Sequence, residues 1–335
     1  MTTPKNQHSR TLRGGIDLGG TKIQAVVLDP AGKVLGSARR PTPRTGGPRN
    51  VVRELAATLS DAAKAAGTTV PELGGTGVGT PGSVDRERGT VSNARNLPGF
   101  DGAVPLASLL ESEIGLSVEL GNDVGVALDA EAQLGAGAGC GSFIGAWWGT
   151  GVGGGVVLHG QRWLGRGAAG EIGHTIVKKD GARCPCGLRG CLEAYAGRGA
   201  MEARARKLAA RGRRTELFDL MRKKNVERLT SGVWAKALER DDRLAHKLVD
   251  RAISALATAL ASTVNLVDVE AIVIGGGLGS RLGQPAVDRI SSEMRPRLFR
   301  PDAAPPVRLS ALGDFAGATG AALLVRTRSS VGAPG

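Results

Sequence analysis

The stretch Gly15-Ile16-Asp17-Leu18-Gly19-Gly20-Thr21-Lys22-Ile23-Gln24-Ala25-Val26-Val27-Leu28 decides how the chain is read. An apolar run stops at two glycines, a polar Thr-Lys pair follows, and a second apolar run resumes, which predicts strand, glycine turn, strand. Glycines in so tight a turn let backbone N–H groups approach an anion with no Cβ in the way. Thr21 adds a hydroxyl donor, and Asp17 is placed to hold Mg²⁺ through water. Lys33–Ala38 continues as a third strand, and Val51–Ala66 carries apolar residues at helical spacing up to Gly67.

The pattern returns further along. Ser142–Trp148 and Gly153–His159 read as strands around a second turn, Gly149-Thr150-Gly151-Val152-Gly153-Gly154-Gly155. Between the two turns, Gly75–Gly79 and Ser117–Leu120 read as strands, and Leu106–Ile114 and Val124–Leu134 as helices. Beyond them, Cys191–Arg211 and Asp242–Val267 are expected to be helical. Ala271–Ile274 is a strand ending in Gly275-Gly276-Gly277, Val307–Ala311 another strand, and Ala316–Val325 a closing helix. Two α/β halves, each with its own glycine turn, predict a cleft in which both turns face one ligand. The length of 335 residues suits about two domains.

Composition narrows the function classes. Hydrophobic residues make up 41% and charged residues 22%, which supplies a real core and excludes a disordered chain. The 52 glycines follow no triplet period, so a collagen is excluded. Aromatics are 3%, with a single Tyr, which argues against stacking on single-stranded nucleic acid. The net charge is +13, and 16 basic against 8 acidic residues between Arg198 and Arg251 carry more than half of it. On helices such residues form a solvated face, so no nucleic-acid partner is expected. Residues 1–13 read as a loose polar tail with no secretory segment, and the apolar run Ala252–Val269 is interrupted by Ser254, Thr258, Asn265 and Asp268. No membrane span and a cytoplasmic location are expected.

Three further motifs carry chemistry. Asn122-Asp123 lies where a strand gives way to a helix, the end of an α/β sheet at which ligands gather. Asp123 is suited to accept a proton from a hydroxyl that Asn122 positions, and either residue is equally suited to cap the helix. Cys184, Cys186 and Cys191, among Gly and Pro residues, suit a tetrahedral Zn²⁺ with His174 as fourth ligand. Four such ligands close the coordination shell, so the zinc would be structural, and Glu171 and Glu193 flank its loop. Gly275–Gly277 is no dinucleotide fingerprint, because Ser280 takes the third glycine position and Arg295 stands where a ribose carboxylate belongs. A backbone approach to an adenine nucleotide fits it better. Walker and nucleophile-elbow motifs are absent.

Taken together, these residues resemble the ROK family of sugar kinases and sugar-responsive repressors, and within it the bacterial ATP-dependent glucokinase branch, over about residues 14–326. The resemblance implies a two-domain actin/hexokinase-like α/β fold of the ribonuclease H-like ATPase type, with a cleft between the domains. It implies a small domain of residues 14–122 plus 315–328 and a large one of 123–314, the latter with a zinc loop at 174–191 and a helical region at 192–267. The implied reaction is transfer from ATP to a hexose 6-hydroxyl, glucose first, with N-acetylmannosamine, fructose, mannose or allose as alternative acceptors and a sugar-responsive regulatory protein of the same family as the alternative to a kinase. Asp17, Gly19, Gly20, Thr21 and Lys22 match the family's first phosphate loop, Thr150, Gly151 and Gly153 its second, and Gly276 and Gly277 the adenosine side. Gly82, Asn96, Asn122, Glu171, His174 and Glu193 match sugar-binding positions, and Asp123 the catalytic base. His174 is also implied as a zinc ligand with Cys184, Cys186 and Cys191, and Mg²⁺ as the companion of ATP.

Some features depart from the family. Asn122-Asp123 is followed by Val124-Gly125 rather than Ala-Asn, and Trp147-Trp148 precede the second turn, where they are expected near the cleft. About 14 residues precede Ile16, too few for the DNA-binding module of the repressors. The ATP-using branch is favoured over polyphosphate as donor, and a homodimer or homotetramer is expected.

Overall fold

A computed structural model describes residues 11–94 and 96–325. The described residues fall into two compact units, one reaching Ala130 and resuming at Phe315, the other Glu131–Asp314. The change of unit therefore lies inside the helix that begins at Asp123, and Asp123 belongs to the first unit. Of the expected tail, residues 1–10 lie outside the described residues, and Arg13 is already in a strand, paired with Leu28.

The first unit is built on a five-stranded sheet. Its strands are β1 (Arg13–Leu18), β2 (Lys22–Leu28), β3 (Val34–Pro41), β4 (Thr76–Thr80) and, after the small β5 (Ser83–Asp85) and β6 (Thr90–Ser92) hairpin, β7 (Val118–Asn122). The spatial order is β3-β2-β1-β4-β7: an antiparallel meander, then parallel neighbours. The parallel strand β4 is buried along its whole length, as a strand covered on both faces must be. Helix α1 (Gly47–Ala65) presents Val51, Val52, Leu55, Leu59 and Ala62 to the core. Helices α2 (Leu106–Ile114) and α3 (Asp123–Leu134) follow, and α10 (Ala316–Leu323) returns from the far end of the chain.

Helix α10, Ala-Gly-Ala-Thr-Gly-Ala-Ala-Leu, reaches the sheet by backbone approach. A Cβ at Gly15 of β1 would overlap the Ala318 carbonyl, one at Gly77 of β4 the Ala321 carbonyl, and one at Gly320 the Val126 carbonyl of α3. At these three positions no side chain fits, and the small Ala318 and Ala322 side chains pack beside them on Val26 and Leu28.

The second unit repeats the sheet. Strands β8 (Phe143–Trp148), β9 (Val152–Leu158), β10 (Gln161–Trp163), β11 (Ala271–Gly275) and β12 (Val307–Leu309) lie in the order β10-β9-β8-β11-β12, again a meander followed by parallel neighbours. Its helices are α4 (Glu193–Ala196), α5 (Arg198–Ala209), α6 (Leu217–Lys223), α7 (Ser231–Leu238), α8 (Arg243–Val267) and α9 (Gly276–Met294), the last kinked at Gly283 before Pro285. Helix α8 starts at an Asp242 cap that accepts from the Ala245 N–H at 2.8 Å, and one face of it is buried. Among the described residues no helix is long and apolar enough to cross a membrane.

Two expectations are corrected. Cys191–Arg211 is not one helix: it breaks at Gly197, whose ψ of 129° is non-helical, because the next two N–H groups donate to Gly149 and Thr150 on the second glycine turn. Of the two rings expected near the cleft, that of Trp148 is not on any open surface. It is fully buried, with Nε1 donating to the Ala196 carbonyl at 2.7 Å, while Trp147 is half-buried.

Replacing Gly77 by Ala should cost about 1–3 kcal/mol through overpacking of α10 on β4, read as a lowered urea midpoint. Gly102→Ala, whose added methyl meets nothing within 4 Å, should leave the midpoint almost unchanged.

Candidate active site

In the first unit the parallel register collects the predicted residues at one sheet edge. Asp17 pairs with Gly79, Gly79 with Gly121, and Thr80 with Asn122, so the carboxyl ends of β1, β4 and β7 stand side by side. The first turn, Gly19-Gly20-Thr21, is closed by Gly19 N–H donating to the Lys22 carbonyl at 2.9 Å and Thr42 Oγ1 donating to the Gly19 carbonyl at 2.6 Å. Asn96 leans over it, since a Cβ at Gly20 would lie 2.7 Å from the Asn96 Cβ. The Asp17 carboxyl sits against Gly317 in the first turn of α10. Gly82 turns the chain beside Ser92 and Ala94.

Asn122 and Asp123 share the start of α3. Asn122 Oδ1 accepts from the Gly125 N–H at 3.1 Å, so the capping role is real, and its amide N–H groups remain as donors. Asp123 Oδ1 accepts from the Val124 N–H at 2.9 Å, which fixes the carboxylate in the first helical turn, where the helix dipole favours negative charge.

In the second unit the two other glycine segments are neighbours. Gly275 pairs with Trp147, and Gly276, at φ 80°, backs directly onto the Trp148 backbone, an approach and a conformation that glycine alone accepts without strain. Thr150 through Gly153 therefore lie next to Gly276 and Gly277, where α9 begins and its first N–H groups are open to an anion. Val152 is the junction of the turn with the predicted sugar residues. Its N–H donates to Glu193 Oε2 at 3.0 Å, and its carbonyl is packed against Gly173, between Glu171 and His174. Glu193 is thus drawn to the turn, and Glu171, two residues before Gly173, is exposed.

Arg198 reads in the sequence as part of the solvated basic stretch, yet the structure holds it on the second glycine turn. Its Nη2 donates to Thr150 Oγ1 at 2.8 Å and its Nη1 to Ser231 Oγ at 2.9 Å. Burial, and next the nearby Arg228, push its pKa down from the usual arginine value, with Glu202 opposing. A guanidinium so placed on a glycine turn is relieved by an anionic ligand. The signal in the sequence was weak: a Gly-Arg-Gly at residues 197–199 that interrupts a helical pattern.

The cysteine loop forms a four-ligand cluster. The donor atoms of His174, Cys184, Cys186 and Cys191 all lie within 4.8 Å of one another. His174 Nδ1 is 3.8 Å from Cys184 Sγ, and Cys186 and Cys191 Sγ are 3.7 Å apart. A zinc tetrahedron with bonds of roughly 2.3 Å to sulfur has edges of about 3.8 Å, so the set fits a structural Zn²⁺. Burial pushes the Cys184 thiol up to about 12 and the Cys191 thiol upward, whereas the Leu188 N–H lowers Cys186. Metal must displace protons from the first two.

A family model described as the ROK family matches residues 13–328. A glucokinase from Thermotoga maritima is 33% identical over 319 residues, 94% of this chain and 97% of that protein. The crystal structure of a ROK hexokinase from Thermus thermophilus is 34% identical and covers 94% of this chain and 97% of its own, with a TM-score of 0.72. That of a ROK family glucokinase from Streptomyces griseus, in complex with glucose and AMPPNP, is 31% identical with a TM-score of 0.77, covering 93% and 98%. These structures share the α/β actin/hexokinase-like fold.

The purified protein should hold about one zinc per chain by elemental analysis, and Cys184→Ser should lose most of it along with thermal stability. Since zinc displaces thiol protons, its affinity for the stripped protein should rise with pH between about 6 and 8; a flat profile would contradict the ligand set.

Proposed function

The chain belongs to the ROK family, and we propose that it is a cytoplasmic glucokinase that transfers the γ-phosphoryl group of ATP to the 6-hydroxyl of glucose. The observation that carries this reading is the placement of Asp123: a carboxylate fixed at a helix start on the sheet edge, beside Asn122 and in register with Asp17 and the first glycine turn. Relatives named as glucokinases, one of them bound to glucose and an ATP analogue, support the choice of substrates.

Asp123 takes the proton of the 6-hydroxyl as its oxygen attacks phosphorus, an effect of about 10²–10⁴-fold. Asn122 keeps its amide N–H groups for a sugar hydroxyl, because its oxygen is held by Gly125. Glu193 likewise keeps Oε1, since Oε2 is held by Val152. His174 turns Nδ1 to the thiols and keeps Nε2 as a donor. Asn96, the Gly82 backbone and Glu171 complete the sugar set. Gly19, Gly20, Thr21 and Lys22, with Thr150, Gly151 and Gly153, are assigned to the phosphates, and Gly276 and Gly277 to the adenosine side. Thr150 accepts from Arg198, which leaves its own O–H to donate. Mg²⁺ bound with ATP supplies charge neutralisation, and Asp17 would hold it through water. Positioning and charge carry most of the catalysis in such transfers.

An ADP-release assay against a hexose panel should show turnover fastest with glucose; a faster N-acetylmannosamine, fructose or mannose would change the acceptor and keep the chemistry. Asp123→Asn should bind glucose normally and lose about 10²–10⁴-fold in kcat. Arg198→Ala should raise KM for ATP about tenfold or more and leave KM for glucose unchanged, because it removes charge-assisted bonds to the nucleotide side only.

A further inference from the structure

A surface hollow of about 400 Å³ lies in the second unit, lined by Lys178, Tyr195 of α4, Arg204 of α5, and Arg251, Ser254 and Thr258 of α8. It shares no residue with the glycine turns. Its chemistry is one-sided: three cations line it and no carboxylate does. The surrounding basic stretch behaves differently. Arg206 and Arg228 pair with Glu202, Arg222 with Asp219, Lys236 with Glu239, and Arg240 with Glu216. Among the described residues no carboxylate pairs with Lys178, Arg204 or Arg251.

The hollow is also organised. The Arg251 guanidinium lies 4.4 Å from the centre of the Tyr195 ring, which holds it over an aromatic face. Ser254 Oγ accepts from Arg297 at 3.3 Å and keeps its hydrogen to donate. Guanidinium forks, an ammonium and a hydroxyl donor around one hollow match a phosphate dianion, and the volume has room for the molecule that carries it. Like charges gathered without counter-charge repel one another, and a bound dianion removes that cost.

The wall leads to the site already described. Tyr195 Oη accepts from the Ala182 N–H of the zinc loop at 2.8 Å. Its helix α4 also carries Glu193, whose carboxylate holds the Val152 N–H of the second glycine turn. A ligand seated on Arg251 and Tyr195 therefore bears on the short helix that holds this turn.

We propose that this hollow is a regulatory site for a small phosphate monoester. The shared chemistry is the phosphate group; its source is either an organic phosphate such as a hexose phosphate or free phosphate. The reading goes beyond the kinase assignment, and its binding arm does not depend on it. The test is calorimetric titration of the full chain and of the Arg204→Ala/Arg251→Ala variant with glucose 6-phosphate, with inorganic phosphate, and with glucose as neutral control. The wild type should bind glucose 6-phosphate at one site more than the variant, or at least about tenfold more tightly. Equal strength with inorganic phosphate would identify free phosphate as the source. Identical titrations of wild type and variant overturn the site. The Arg204→Lys/Arg251→Lys variant, which keeps charge and loses the forks, should fall between the two and serves if the alanine variant does not fold. At saturating ATP and glucose, the bound phosphate should slow the wild type and spare the variant. Equal slowing of both overturns the regulatory role, and absence of turnover in both would fault the kinase reading while the titration still decides the site.

Discussion

A helix can lie against a sheet at near-backbone distance only where the strands carry glycine under it and the helix itself presents nothing larger than small side chains, and that constraint governs the first unit. Gly15 and Gly77 on the sheet and Gly320 on α10 occupy positions where a methyl would overlap a carbonyl. The approach brings residues 316–323, from the far end of the chain, onto strands that begin at residue 13. It also sets the start of α10 against the Asp17 carboxyl. The helix is apolar but built of small residues, so its packing rests on closeness rather than on large side chains.

The second constraint is topological. Both sheets run a three-strand meander and then add two parallel strands on the far side of the first strand. In such a sheet the hairpin between the first two strands and the ends of the parallel strands emerge at the same edge. A glycine turn in that hairpin is thereby placed next to whatever ends the parallel strands: Asn122 and Asp123 in one unit, Gly275–Gly277 in the other. One arrangement used twice yields an edge that ends in a carboxylate and an amide and an edge that ends in glycines.

The cysteine loop works through packing as well as ligation. Its hairpin is anchored by Tyr195, its first ligand His174 follows a glycine packed on Val152, and Glu193 just beyond its last cysteine holds the Val152 N–H. Disorder in the loop would release both the carboxylate and the turn, so a metal that closes the loop also stiffens the ligand side of the unit.

Local chemistry made much of this legible. Strand–glycine–strand units, Asn122-Asp123 at a strand end and three cysteines near a histidine each announce themselves by residue type and spacing, because turns, caps and metal ligands are short-range devices. What the sequence could not supply is long-range. The break at Gly197 follows from two hydrogen bonds to a turn nearly fifty residues earlier. The Trp148 ring, expected near the cleft, is drawn inward by a carbonyl on α4. Arg198 and Arg204 look alike in a basic run, yet one is bonded to Thr150 and the other faces a hollow without counter-charge. Residue chemistry determined which groups were available; tertiary packing alone decided which of them meet, because burial and distance are set by segments far apart in the chain.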